Sequence, residues 1–200
     1  MSAAFGRDAL LDAFDQIGRA AVEAGTKLQI AVYGGSALML ASNFRFATED
    51  VDVSRLEHPL PEWLSTVVNE IARKNQWQDD WFNDGVVFHL SSLADHDDHL
   101  EFGTFPRDST PPGLAVSVPS AEYLLALKLK ALRVMDPVRG ETERLDILNL
   151  MKVVGISTAE QAIALLGRYF PVSAASPEKQ RFLLNNMSRE GGTDAPKYPR

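Results

Sequence analysis

Two short motifs in this 200-residue chain hold the residues best suited to chemistry: Gly34-Gly35-Ser36 and Asp50-Val51-Asp52. Side chains on a strand alternate faces, so Asp50 and Asp52 share one face while Val51 points to the other, into a core. Two neighbouring carboxylates repel, and they stay ionised comfortably with a cation between them. Mg²⁺ (or Mn²⁺) is the expected hard-oxygen partner. Glycines at the start of a helix let backbone N–H groups come close to a phosphate at the positive helix end. A phosphate cradle and a metal pair in one segment imply metal-assisted phosphoryl or nucleotidyl transfer.

The elements that must position these residues are legible around them. The run LQIAVY (28–33) reads as a strand that delivers the glycines. A short apolar helix follows, then a loop carrying Arg45 and Thr48, then a second apolar strand carrying the two aspartates. Leu10, Leu11, Phe14, Ile17 and Ala21 recur at helical spacing and predict a helix over 7–24, with Gly25 as its stop. Pro59 and Pro61 punctuate the aspartate strand, and Trp63, Leu64, Val67, Val68 and Ile71 predict a helix over 61–74. Three further strands are expected at 84–90 (DGVVFHL), 99–105 (HLEFGTF) and 114–118 (LAVSV). From Pro119 the pattern is helical: SAEYLLALKLKALRV, ETERLDILNLMKVV and TAEQAIALLGRYF, with SPEKQRFLLNNM as one more candidate helix. Strands with interspersed helices followed by helices alone predict an α+β fold.

The form GGSAL…R…T.D.D resembles the nucleotidyltransferase superfamily, which shares the DNA polymerase β fold, and looks most like its AbiEii-type, toxin-related branch. Thirteen residues separate Ser36 from Asp50, a long spacer for that superfamily. The segment DWFNDGVVFHL resembles a WLND-like stretch of one branch, and the likeness as a whole runs over roughly 28–170. It implies a mixed sheet flanked by helices and followed by a helical C-terminal part. The divisions expected are 1–118 as catalytic core, 119–187 as helical part and 188–200 as a flexible tail.

The resemblance also implies roles. Asp50 and Asp52 would bind the divalent ion that bridges a triphosphate. Ser36 would meet phosphate through its hydroxyl and backbone N–H, and Gly35 would allow the close approach. Arg45 would meet phosphate bidentately or tie down its loop through a carboxylate. Thr48 would stand with it in that loop. Lys128, in AEYLLALKLKALR, matches the helix whose lysine points back at the nucleotide, although lysines among leucines also snorkel. Glu143 and Asp146 share one helix face and would orient Lys128 or Arg133, or form a salt bridge of their own. For a third carboxylate acting as general base, Asp84 and Glu101 are the candidates. Asp84 is favoured, because Trp81, Phe82 and Asn83 beside it read as a pocket wall.

Composition narrows the partners. With no cysteine there is no disulfide, thiol nucleophile or thiolate zinc site. A net charge of −7 argues against a broad nucleic-acid surface driven by counterion release, although Lys128, Lys130, Arg133, Arg139 and Arg144 gather in one stretch. No apolar run is long enough to span a bilayer, and the cytoplasm is the default compartment. The cluster DHDDH (95–99) lacks a third ligand at diagnostic spacing and reads as a polar hairpin loop. These readings converge on an NTP substrate, an RNA (tRNA included) or protein acceptor, and an antitoxin as partner if the chain is a toxin. The alternative is a nucleotide-binding or partner-binding module of the same fold that has lost catalysis.

Overall fold

The computed structural model describes residues 4–55, 61–108, 111–176, 181 and 197–199. By its internal contacts the chain forms two compact units, Met1–Phe88 with His99–Pro119, and His89–Asp98 with Ser120–Arg200. The expected helix over SPEKQRFLLNNM and the tail from 188 lie mostly outside the described residues.

The first unit is built on a five-stranded sheet of order β5-β4-β2-β7-β6. Its strands are β2 (Leu28–Val32), β4 (Val51–Arg55), β5 (Phe82–Asn83), β6 (His99–Phe105) and β7 (Leu114–Pro119). β2 runs parallel to β7 and antiparallel to β4, β6 is antiparallel to β7, and β5 is parallel to β4. The sheet is therefore mixed. A second, two-stranded sheet pairs β1 (Phe5–Gly6) with β3 (Ala47–Thr48).

Register separates the two faces of the large sheet. Val32 pairs with Val53, Ile30 with Val116, and Leu28 with Leu114, all buried, so one face is apolar. Ser54, Ala31, Ser117 and Glu101 form one row across four strands on the other face. Asp52, two residues before Ser54, belongs to that polar face.

Helix α1 (Arg7–Glu23) packs on β6 and β7 and against α3 (Glu62–Asn75), burying Leu10, Phe14, Ile17 and Ala21. It crosses the β6–β7 connection with backbone nearly touching backbone. A Cβ on Gly18 would fall 2.5 Å from the carbonyl of Phe105, and one on Gly113 would collide with the carbonyl of Gly18. An aromatic cluster secures the other side. Phe5 stacks on Trp77 at 4.1 Å and meets Trp81 edge-on at 6.0 Å, while the indole of Trp81 donates to the Val68 carbonyl. Trp81 is fully buried, so it is core rather than the pocket wall its neighbourhood suggests.

The strand expected over 84–90 does not form. The edge strand is only Phe82–Asn83, and Gly85–His89 is a 3-10 helix. The Asn83 side chain accepts from the Gly85 N–H at 3.0 Å and the Asp84 carbonyl accepts from Val87. This Asx turn diverts the backbone before Val86, Val87 and Phe88 can express their β preference.

The second unit holds α4 (Ala121–Ala131), α5 (Gly140–Val154), α6 (Ala159–Tyr169) and the short α7 (Pro171–Ala174). Ser120 caps α4 by accepting from Tyr123 N–H, and Thr158 and Gln161 form a reciprocal capping box on α6. Leu124, Leu125, Leu129, Ile147, Leu150 and Leu166 fill its core. Leu132, with a positive φ of 44°, ends α4 earlier than the leucine pattern suggests.

Candidate functional site

The glycines lie in the first turn of α2 (Gly34–Ala41) rather than ahead of it. Gly34 takes a positive φ of 65°, a conformation in which a Cβ is strained. Space makes the same demand. A Cβ there would stand 2.8 Å from Asp52 Oδ2, and one on Gly35 would stand 2.8 Å from an Arg45 terminal nitrogen. A carboxylate and a guanidinium are thus set against consecutive glycines of one helix turn, whose N–H groups carry the positive end of the helix dipole.

Each charged group is held from the backbone outward. The Tyr33 N–H donates to the Asp52 carbonyl at 2.8 Å, which fixes the start of α2 against β4. Val51 is fully buried and its N–H donates to the Trp81 carbonyl, so the alternation expected of Asp50-Val51-Asp52 is present. Asp50 directly precedes β4. The buried Thr48 hydroxyl donates to the Asp50 carbonyl at 3.0 Å and reaches its Oδ1 at 3.3 Å, so Thr48 orients Asp50. The Ser36 hydroxyl is buried and donates to the Tyr33 carbonyl at 2.8 Å, tightening the turn.

Tyr33, the last residue of the LQIAVY run, carries contacts that its place in that run does not announce. Its hydroxyl hydrogen-bonds His99 Nε2 at 2.8 Å and receives Ser54 Oγ at 3.3 Å, linking β4, the α2 entry and β6 on the polar face. Its place directly before Gly34 was the one signal available.

No carboxylate on a neighbouring strand stands in register with the pair. β5 places Asn83 opposite Asp52, and Asp84 follows at an exposed turn. Glu101 sits on β6, three strands from β4, roughly 14 Å away at the usual strand spacing. Among the described residues no cluster of three or more acidic or histidine side chains converges to hold a metal. The pair still suits Mg²⁺, which is commonly held by one or two carboxylates with the substrate's phosphates completing its shell.

Lys128, Glu143 and Asp146 come together within the helical unit. The Lys128 ammonium is buried and lies 2.9 Å from both Glu143 Oε2 and Asp146 Oδ2. Arg133 is exposed in a 3-10 turn after α4 and makes no part of that cluster's ion pairs. In the DHDDH stretch, Asp98 accepts from the Tyr169 hydroxyl at 2.5 Å and from the Asp95 N–H, while His96 points to solvent. Burial, then the hydrogen bond to Asp98 and its charge, hold the Tyr169 hydroxyl well above its ordinary pKa.

No single helix among the described residues is long and apolar enough to cross a membrane. No family model and no curated protein matches the sequence. The fold is similar to the crystal structure of an antigenic nucleotidyltransferase-like protein from Paracoccidioides brasiliensis. That similarity has a TM-score of 0.46 and 13% identity, covering 91% of this chain and 96% of that one.

Proposed function

We propose that this chain is a Mg²⁺-dependent nucleotidyltransferase that moves an NMP from an NTP to a hydroxyl of RNA or protein. One observation carries the reading. Asp52 is packed against Gly34 and Arg45 against Gly35, each so close that a Cβ on that glycine would force the side chain to shift. A carboxylate and a guanidinium set at one helix start suit a phosphate group bound through a cation.

Asp50 and Asp52 would hold the metal, which supplies charge neutralisation on the phosphates when bound. The α2 N–H groups and Arg45 would take the remaining phosphate oxygens. Thr48 keeps Asp50 aimed, and Ser36 keeps the turn closed. Transfer forms a bond from the acceptor oxygen to the α-phosphorus and breaks the bond to pyrophosphate. Asp84, one residue beyond the strand position opposite Asp52, is the carboxylate this reading assigns to the departing proton. An RNA acceptor, tRNA included, and a toxin role opposed by an antitoxin are the biological setting proposed.

Incubation with labelled NTPs, Mg²⁺ and total RNA or protein tests the proposal. Labelled acceptor is expected from the native chain and none from Asp50→Ala with Asp52→Ala. No label from either would sink it.

The amide of Asn83, standing where a third carboxylate would be in register, favours a second reading: a nucleotide-binding module without turnover. Calorimetry with Mg²⁺·ATP separates the two, since tight binding with no transfer over a broad acceptor panel selects the module.

A further inference from the structure

The loop that carries Arg45 back to Gly35 continues into Phe46, whose ring is 73% exposed. That ring, like that of Phe88, leaves apolar area in water that burial would remove. Phe46 is not exposed through looseness. On one side Arg45 is seated against the first turn of α2. On the other, Ala47 pairs with Gly6, and the Phe46 carbonyl lies 3.6 Å from where a Gly6 Cβ would be. Thr48, one residue further, is buried and bonded to Asp50. Phe46 thus stands on backbone anchored on both sides, next in sequence to the candidate phosphate-binding arginine, with a flat apolar ring open to solvent.

We infer that Phe46 is the stacking platform for the base of the nucleotide whose phosphates the Gly34–Gly35 turn receives, an inference that rests on the proposed function. A π-face accepts every base, because stacking reads area rather than the hydrogen-bonding edge. The expected specificity follows: purine nucleotides bind more tightly than pyrimidine nucleotides, and no single base is demanded. Binding of the phosphates alone does not involve Phe46.

Calorimetric titration with Mg²⁺ present, using ATP, CTP and inorganic tripolyphosphate, tests this on the native chain, Phe46→Ala and Phe46→Trp. ATP is expected to bind the native chain more tightly than CTP. Phe46→Ala should weaken ATP by about tenfold or more and leave tripolyphosphate unchanged. Phe46→Trp should keep ATP affinity, and its added emission should be quenched by ATP and not by tripolyphosphate. Unchanged ATP affinity in Phe46→Ala, or equal weakening of ATP and tripolyphosphate, would overturn the inference and leave the phosphate and metal site standing. If the native chain binds neither ATP nor tripolyphosphate with Mg²⁺, the site reading falls and the platform falls with it.

Discussion

Two charged clusters in this molecule solve opposite problems. In the helical unit, Lys128 is 6% exposed and bracketed by Glu143 and Asp146, so its charge is answered by the chain itself. In the sheet unit, Asp50 and Asp52 are only partly buried at the start of β4, and glycines replace side chains where Asp52 and Arg45 need room. The first cluster is what a fold does with charge it must bury. The second sets carboxylates and a guanidinium against the glycines of a helix start, the arrangement the proposed phosphate and metal site would use. Charge alone therefore does not mark a site; its place beside a helix start does.

Removing the cation from the buried cluster is the sharpest way to break the comparison. Lys128→Met leaves the buried Asp146 and the partly buried Glu143 without their cation, and unfolding in denaturant should show a loss of about 3–5 kcal/mol. The stability loss should exceed any loss of nucleotide affinity in the variant that remains folded. The reverse would return Lys128 to the triphosphate-binding role its helix resembles.

Neutralising the open cluster should do the opposite. Asp50→Asn with Asp52→Asn removes repulsion, so the melting temperature should hold or rise. Label transfer should fall by about a hundredfold or more. A drop in melting temperature with transfer intact would make this pair structural as well.

Gly34→Ala sharpens the comparison at the level of space. The positive φ and the displaced Asp52 carboxylate together should cost about 1–2 kcal/mol in denaturant unfolding. Mg²⁺ affinity should weaken more than in Gly35→Ala, where the flexible Arg45 gives way instead.

The smallest effect belongs to an exposed charge in the helical unit. Backbone N–H groups of Arg139 and Val138 hold the Asp136 carboxyl below its ordinary pKa. A depressed folded-state pKa adds stability above the ordinary carboxylate range and loses it as pH falls through the folded value. Asp136→Ala should therefore destabilise slightly near neutral pH, and the gap should narrow in acid. Denaturant curves at the two pH values check it.

The sequence carried the periodic elements well, because apolar spacing reports burial directly. The helix expected at 7–24 forms at Arg7–Glu23, and Val51 is buried between two outward aspartates, as alternation requires. What it hid depends on where the chain turns. The β-branched run after Asp84 concealed an Asx turn set by Asn83. The seating of Arg45 against Gly35 and the exposure of Phe46 arise from a loop folding back, which has no period to read. Trp81 looked like a wall because burial of a single aromatic is decided in part by partners far away in sequence, here Phe5.

The segment His89–Asp98 lies between two strands of the sheet yet belongs to the helical unit. There the Tyr123 hydroxyl accepts the Ser91 N–H, the Ser91 hydroxyl donates to the Tyr169 carbonyl, and Tyr169 donates to Asp98. The chain consequently passes between units three times, and no single cut yields both of them whole. A recombination event that exchanged everything after Pro119 as a cassette would arrive without its insert and leave two tyrosine hydroxyls seeking water. The halves of this protein are bound to vary together.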